Sequence, residues 1–321
     1  MIKLAEIAEE AGFSVAVVSR ALSLNPHKDT RTADSTKEHI RKVAKRMGYR
    51  PNRNAEFLKR GQNSVIGCFL PLRTDTLSAK LMKGISEEAD KNNFPLAFYF
   101  DVTKNSYLEF IERSQRAKNC GIITYPYFKL DTDAEAVILE YQKNDGKIVI
   151  VEGGEQGLSY TSVSVDNYHG GKLVAEHLLK HEVKQFITRL YKNIPERISG
   201  FVDTIRKAEQ TVTIYDSLDD IIEKVKSIKK YPVGMFLPCD KDAVVALCEF
   251  QRNNIAIGKD VLIIGYDDQY LSQYVRPALT TISQPFDIVG KLAVQKLIGK
   301  IYDNSSESIL IKPELIIRDS A

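Results

Sequence analysis

From residue 63 onwards, short apolar segments alternate with segments of helical periodicity. The predicted strands are SVIGCFL, PLAFYF, GIITY, KIVIV, SVSV, QFITRL, TVTIY, VGMFLP, VLIIGY and ALTTIS. Amphipathic segments such as LSAKLMKGISEEADKN and DAVVALCEFQRNN lie between them. Apolar strands that alternate with helices form parallel sheets covered on both faces. The strands are too many for one compact sheet, so the pattern predicts two similar α/β lobes with a cleft at the carboxyl ends of their strands.

The first fifty residues have a different, all-helical pattern. In IKLAEIAEEAGFSVAVVSRAL, apolar residues recur at helical spacing before Gly12, which is free to adopt the left-handed conformation of a tight turn. Ser14 is placed to cap a second helix over about 15–22. This is the helix-turn-helix pattern, whose second helix enters the DNA major groove, although other small helical cores would also satisfy it.

A third helix and a short basic segment follow. In STKEHIRKVAKRMGY, Ser35 and Glu38 have the spacing of a capping box, and Gly48 closes the helix. Residues 53–60 could form about two helical turns that carry an exposed Phe57-Leu58 pair. Because so short a helix is unstable alone in water, we expect it to become ordered on binding.

Charge is unevenly distributed along the chain. Residues 1–62 hold 13 of the 45 Lys and Arg but only 7 of the 42 Asp and Glu, a net charge of +6, whereas the whole chain has a net charge of +3. A basic head on a mildly acidic body is typical of a phosphate-binding module on a neutral carrier. The alternative is a well-solvated helix face.

Composition and motifs exclude several classes of protein. The 321 residues suffice for two or three domains, and no apolar run is long enough to cross a membrane. The N-terminus lacks the apolar core of a secretory signal, and the four cysteines are scattered, which favours the cytoplasm. His177 and His181 have metal-ligand spacing, but without a third ligand we expect surface histidines and no metal. No catalytic or cofactor-binding motif is present, so we predict no cofactor and no catalytic residue.

Six segments, in order, resemble the lactose-repressor family of bacterial transcription regulators. They are IAEEAGFSVAVVSRAL, MGYRPNRNAEFLKRGQNSVIG, VSVDNYHGGKLVAEHLL, ERISGF, VLIIGYDD and RPALTTISQP. The resemblance implies a helix-turn-helix head (1–50), a hinge helix (51–62) and a two-lobed α/β core with parallel sheets, like that of periplasmic binding proteins (63–321). We expect lobe one to span about 63–159 and 286–321, and lobe two about 160–285.

The resemblance assigns DNA contacts to the second helix. Val15 and Ala16 would offer apolar contact, suited to a thymine methyl group, whereas Arg20 could read guanine. Ser14 and Ser19 would contact phosphate or cap the helix. The alternative for Val15 and Ala16 is helix packing.

In the hinge, residues Asn52, Arg53, Ala55 and Leu58 match the family's DNA-contacting segment. By resemblance, Leu58 is an apolar wedge between base steps in the minor groove. Its alternative role is packing against a lobe.

The resemblance also places an effector in the cleft. Asp267, at the end of the VLIIGY strand, would accept hydrogen bonds from the effector, with Arg197 as its partner. Asp240 and Tyr125 follow two other strands and would face the same cleft. Aspartate and arginine among aromatic residues suit a sugar or sugar derivative. The alternative for Asp240 is a helix N-cap.

These expectations describe an allosterically controlled repressor that is not an enzyme. It would bind double-stranded, pseudo-palindromic operator DNA as a homodimer, because one head reads only a half-site. It would be cytoplasmic and nucleoid-associated, with no membrane partner. Two alternatives remain: a sugar-binding protein whose head is not its main function, and a carbohydrate-active enzyme on the same fold.

Overall fold

The computed structural model describes residues 2–23, 32–49, 57–58, 61–153, 160–192, 194–228, 232–303 and 307–321. The head contains helices α1 (Leu4–Ala11), α2 (Val15–Ala21) and α3 (Asp34–Arg46). Their apolar faces enclose a small core of Ile7, Ala8, Ala11, Val18, Ala21, Ile40, Val43 and Ala44. The three predicted helices of the head are therefore confirmed.

The helix ends of the head follow local chemistry, with one exception. Gly12 adopts the left-handed conformation (φ 73°), and the Ser14 hydroxyl accepts a hydrogen bond from the Val17 amide at 3.3 Å. The predicted capping box of the third helix is wrong, because α3 begins at Asp34 and Ser35 therefore lies inside the helix. With Ala33 at the N-cap, no side chain caps this helix.

The body alternates strands and helices as predicted. In chain order its elements are β1 (Ile66–Leu70), α4 (Thr76–Lys91), β2 (Leu96–Phe100), α5 (Lys104–Arg116), β3 (Gly121–Thr124), α6 (Thr132–Lys143), β4 (Ile148–Val151), β5 (Thr161–Val165), α7 (Asn167–Leu178), β6 (Gln185–Arg189), α8 (Pro195–Lys207), β7 (Val212–Tyr215), α9 (Leu218–Ser227), β8 (Val233–Phe236), α10 (Asp240–Arg252), β9 (Val261–Tyr266), the 3-10 helix η1 (Tyr270–Gln273), β10 (Thr280–Ser283), α11 (Phe286–Asp303), β11 (Ile309–Ile311) and β12 (Glu314–Ile316). The sequence reading omitted the two last strands, which have only three residues each.

The described strands form two six-stranded sheets. The first has the order β11-β5-β4-β3-β1-β2 and the second β12-β10-β9-β8-β6-β7. All pairings are parallel except that of β12 with β10. In β1, Cys68 and Leu70 join one apolar cluster and Phe69 joins another, so the first sheet is covered on both faces. We call the part built on the first sheet lobe one and the part built on the second lobe two.

The boundaries of the lobes differ from those predicted. Strand β5 was assigned to lobe two, but it pairs with β4 and β11 in the first sheet. The last residues were assigned to lobe one, but β12 pairs with β10 in the second sheet. Local periodicity identifies a strand, whereas the sheet that it joins is decided by hydrogen bonds to distant strands. Within the described ranges, the chain thus crosses between the lobes at residue 166, at 284–285 and at 312–313.

In each lobe, glycine residues allow two of the described helices to pack closely against each other. Helices α7 and α8 meet at Gly171 and Gly200, and helices α4 and α11 meet at Gly84 and Gly290. A Cβ at Gly171 would overlap the carbonyl oxygen of Arg197. A side chain at these positions would force the helix axes apart.

The predicted surface position of His177 is wrong. His177 is buried where α7 packs beside the C-terminal Ala321, whereas His181 is exposed. Burial lowers the pKa of His177, and a backbone hydrogen bond involving Ala321 opposes that change. The described residues contain no group of three or more potential metal ligands.

Candidate nucleic-acid interface and ligand site

One face of α2 is free of the head core. Val15, Ala16 and Ser19 are exposed, and the Val15 side chain is 47% accessible. The other face of α2 packs in the head core, so the exposed Val15 side chain is available for apolar contact with a partner. The structure therefore places these predicted contact residues together on one surface.

Arg20 lies one turn further along α2. It is partly buried, and its Nε atom has no hydrogen-bond partner among the described residues. Ser14 caps the same helix through its hydroxyl, which is one of the two roles predicted for it. Because this Nε atom is buried, a contact to a base edge would have to come from the terminal guanidinium nitrogens.

The segment after the head contains one anchor and one exposed leucine. Phe57 is fully buried in the core of lobe one and makes an edge-on contact with Phe94, at a ring distance of 6.0 Å. Leu58 is 72% exposed. The prediction of an exposed pair is therefore confirmed for Leu58 and wrong for Phe57. The other predicted hinge contacts, Asn52, Arg53 and Ala55, lie outside the described residues.

Arg197 and Asp267 form a buried ion pair between the strand ends of lobe two. The Nη1 atom of Arg197 donates to Asp267 Oδ1 at 3.2 Å and to the Pro238 carbonyl at 2.8 Å. The guanidinium lies over the Tyr266 ring, 3.8 Å from its centroid. Burial raises the pKa of Asp267, and Arg197 opposes this rise. The predicted partnership of the two residues is present, with the arginine oriented by an aromatic face and a carbonyl.

Asp267 stands on a strained turn. It has a φ of 114° and the next residue, Asp268, has a φ of 46°. Such conformations cost of the order of 1–3 kcal/mol each in a residue with a side chain, and they persist where surrounding contacts hold them. Arg318 donates to Asp268 Oδ1 at 2.7 Å and so holds one side of this turn.

Asp240 stabilises the other side of this turn. The prediction that it faces the cleft is therefore wrong. Its carboxylate accepts hydrogen bonds from the Gln269 amide (2.7 Å), the Ser272 hydroxyl (2.6 Å) and the Thr281 hydroxyl (2.5 Å). The side chain is buried, and Gly265 leaves it the necessary room. Cys239 occupies the N-cap, so the helix-cap alternative does not apply either. Asp240 therefore positions Asp267 rather than facing open space.

Tyr125 lies at the lobe-one side of the same region. It is partly buried and its ring packs against those of Phe286 (6.1 Å) and Tyr127 (6.5 Å). Burial raises its pKa; Glu152 adds to the rise, and Arg197 opposes it. The charge of Arg197 thus acts on Tyr125, and a role for Tyr125 in the ligand site stays a prediction.

Three polar residues of this site were missed by the sequence reading. Glu152, after β4, accepts hydrogen bonds from the Val165 amide at 2.7 Å and from the Asn167 side chain at 3.3 Å. Asn167 accepts from Arg197 Nε at 2.9 Å, and Gln284 donates to Asp267 at 2.7 Å. Each stands next to a strand end in the sequence, which is the signal that could have indicated it.

The lobes also meet directly at the edge of this site. The Thr76 amide, at the start of α4, donates to Gln269 Oε1, and the Tyr270 amide donates to Thr76 Oγ1, both at 3.2 Å. The carboxyl ends of β1 and β9 therefore face each other. A molecule bound there would contact both lobes.

Comparison with known proteins identifies the architecture. Residues 3–52 match the family of bacterial regulatory proteins termed lacI, and residues 172–321 match the periplasmic binding protein-like domain. The ribose operon repressor of Bacillus subtilis is 30% identical over 316 residues, covering 94% of this chain and 92% of that protein. This chain belongs to the lacI family of bacterial regulatory proteins. It is accordingly a DNA-binding transcription regulator.

Other relatives of this lacI-family regulator are named as repressors too. The transcriptional repressor PurR of Aliivibrio salmonicida is 26% identical, over 100% of this chain and 99% of that protein. The lac repressor dimer bound to operator and an anti-inducer has a TM-score of 0.69 at 20% identity, covering 99% of this chain and 98% of that one. A lacI-family regulator from Enterococcus faecium with bound ribose has a TM-score of 0.66 at 23% identity, covering 80% and 98%. These structures share its fold.

No helix in the described part of this lacI-family regulator is long and apolar enough to cross a membrane.

The contribution of Asp240 and Glu152 to the stability of the protein should fall as pH rises through the acidic range. Burial raises the pKa of Asp240 and of Glu152 to about 7, although hydrogen-bond donors oppose the rise at both carboxyls. Between about pH 4 and pH 7 the folded protein therefore holds protons that the unfolded chain has released. Asp240→Asn cannot bind such a proton. Its stability relative to the wild type should rise by roughly 4 kcal/mol over this range, at about 1.4 kcal/mol per pKa unit.

Urea unfolding at a series of pH values tests this prediction. Asp220→Asn, the same chemical change on the exposed face of α9, is the matched control, and the difference from the wild type should depend on pH more strongly for Asp240→Asn than for this control. Parallel stability curves for Asp240→Asn and the wild type would contradict it.

Proposed function

We propose that this regulator is a repressor whose DNA affinity is controlled by a sugar or sugar derivative bound between its lobes. The observation that carries the proposal is the buried Arg197–Asp267 pair at the facing strand ends. A buried ion pair is expensive to desolvate and is a weak source of stability. Its place at the strand ends, on a strained turn, favours a binding role.

The chemistry of the pair favours a polyhydroxylated ligand. A guanidinium offers several donors in one plane and a carboxylate offers several acceptors, so together they match neighbouring hydroxyl groups. The partly buried Tyr125 adds an apolar face of the kind that a sugar ring contacts, whereas the fully buried Tyr266 ring lies under Arg197 and orients it. D-Ribose is the first compound to test, because one relative is a ribose operon repressor and one similar structure holds ribose.

Two exposed apolar patches support a homodimer. Strand β2 is an edge of its sheet and carries Phe98 and the exposed Phe100. On lobe two, η1 and the residue that follows it expose Tyr270, Leu271 and Tyr274. Soluble monomers rarely expose such clusters, and an edge strand with aromatic residues invites pairing. We propose that a second copy of the chain covers both patches, so that two heads read a pseudo-palindromic operator.

The exposed Leu58 supports a wedge in the minor groove. Its neighbour Phe57 is fixed in lobe one, so a movement of lobe one would carry Leu58 with it. Inserting a leucine between base steps costs a few kcal/mol, which the contacts of the bent DNA recover. In this proposal the DNA wedge is adjacent in the chain to a residue anchored in lobe one, so a change in lobe one would reach the DNA directly.

Arg20→Ala should weaken specific DNA binding by about 10- to 100-fold, because one bidentate base contact contributes about 1–3 kcal/mol. Leu58→Ala should weaken it through loss of the wedge. The measurement is fluorescence anisotropy over a range of salt concentrations, with a duplex that the protein itself selects from a random library. Lys83→Ala, on the exposed face of α4, is the matched loss of one positive charge and should bind like the wild type.

Two outcomes would contradict the proposal. One is an equal affinity for the selected and a scrambled duplex under all sugar conditions. The other is calorimetric binding of a sugar without any DNA affinity, which would favour a sugar-binding protein. We propose binding without turnover, so a sugar recovered chemically changed would indicate an enzyme instead.

A further inference from the structure

Two buried amides stand where the chain crosses between the lobes. Asn167 follows the first crossing and Gln284 forms part of the second. Both side chains are buried, at 8% and 1% exposure. Burying a polar side chain costs free energy unless the side chain is hydrogen-bonded. The hydrogen bonds of these two amides therefore indicate what the residues do at the crossings.

Asn167 joins both lobes to Arg197. Its Oδ1 atom accepts from Arg197 Nε at 2.9 Å and from the Tyr266 hydroxyl at 3.2 Å. Its Nδ2 atom donates to Glu152 of lobe one at 3.3 Å. The amide accepts from the arginine and donates to the glutamate at once, whereas an ionised aspartate of the same size could only accept.

Gln284 joins the second crossing to Asp267. Its Nε2 atom donates to Asp267 Oδ1 at 2.7 Å, the same oxygen that Arg197 contacts. Because the nitrogen must face the carboxylate, the orientation of the amide is determined, and its Oε1 atom is buried without a partner among the described residues. The third crossing is tied to the first, since the Asp166 amide donates to the Ile311 carbonyl at 2.8 Å.

We infer that Asn167 and Gln284 are positioning residues. They connect two interlobe crossings to the Arg197–Asp267 pair and so hold the two lobes in one relative orientation. A molecule that competes for the hydrogen bonds of this pair loosens both crossings together. Lobe rotation then becomes a single step rather than two independent ones. The effect of a bound molecule rests on the proposed function, whereas the role of the two amides in fixing the lobe orientation does not.

A ligand-free measurement of the distance between the lobes tests this inference. Spin labels on the exposed Cys248 of lobe two and on Arg116→Cys, at the exposed end of α5 in lobe one, report that distance. Cys239→Ser removes the other accessible thiol, and dilution with unlabelled protein isolates single subunits. We expect one narrow distance distribution for this labelled parent, and a broadened or shifted one for Asn167→Leu and Gln284→Met.

Gln284→Glu gives a readout that a purely structural role would not produce. At about pH 8 the introduced carboxylate repels Asp267, so the distribution should broaden. At about pH 5 one of the two carboxyls is protonated and can donate to the other, which should restore the narrow distribution. Gln284→Met should show no such recovery. The control is Ser164→Ala, which removes a buried hydroxyl close to the first crossing that has no partner among the described residues; it should match the parent.

The inference is overturned if Asn167→Leu and Gln284→Met fold cooperatively and keep the distance distribution of the parent. It is equally overturned if Gln284→Glu gives the same distribution at both pH values. Should Gln284→Met fail to fold, the Gln284→Glu titration decides. A failure of the proposed function would appear separately, as a wild-type protein that binds neither selected DNA nor sugar, because the labels require neither.

Discussion

Arg197→Ala is expected to lower the free energy of unfolding by about 3–5 kcal/mol, because it leaves a buried carboxylate without its cation. Of the donors in the described part of the chain, the Asp267 side chain would keep only Gln284. The same variant should lose any effect of D-ribose on DNA affinity. Far-UV circular dichroism during urea unfolding measures the first effect, since the chain contains no tryptophan for fluorescence. Anisotropy with and without the sugar measures the second.

The double variant Arg197→Ala/Asp267→Asn separates these two effects. It removes the unpaired charge, so most of the lost stability should return. Its response to sugar should not return, because both recognition groups are absent. A double variant no more stable than Arg197→Ala would show that the loss comes from packing against Tyr266 rather than from the buried charge.

Gly171→Ala is expected to cost about 1–3 kcal/mol, although alanine favours an exposed helix over glycine by about 1 kcal/mol. The added methyl group would overlap the Arg197 carbonyl and lie 2.8 Å from the Phe201 amide nitrogen. Both contacts are with backbone, which cannot yield as a flexible side chain can. Because α8 carries Arg197, its displacement should also weaken the binding of sugar.

The control for Gly171 is the next residue of the same helix. Lys172 is exposed and pairs with Glu176 at the surface, so Lys172→Ala should change stability by no more than about 0.5 kcal/mol. Urea unfolding compares the two variants. A more stable Gly171→Ala variant would contradict the prediction, because it would mean that α7 and α8 leave room for a methyl group between them.

Much of the secondary structure was predictable because it depends on neighbouring residues. The Gly12 turn and the Ser14 cap follow from backbone freedom and from a hydroxyl within reach of a free amide. The ten predicted strands follow from apolar runs between turn residues. The two missed strands, β11 and β12, have three residues each, too few to show a period.

The site was predictable only in part. Arg197 and Asp267 were indicated by resemblance, and the structure brings them together. Asp240 has the same sequence signal as Asp267, an acidic residue after an apolar strand, yet it turns inward to hold the Asp267 turn. Glu152 has that signal as well and was not selected. A position at a strand end therefore does not reveal whether a carboxylate finds its donors in the protein or in a ligand.

By itself, the sequence determined the helical head, the alternation of strands and helices and the family, because these depend on local periodicity and on motifs in a given order. Only the tertiary structure decided that β5 joins lobe one, that β12 joins lobe two and that Phe57 is an anchor while Leu58 is free. It alone also placed two crossing-segment amides on the Arg197–Asp267 pair. The physical reason is that strand pairing and buried hydrogen bonds join residues far apart in the chain, and no local pattern records which partner is chosen.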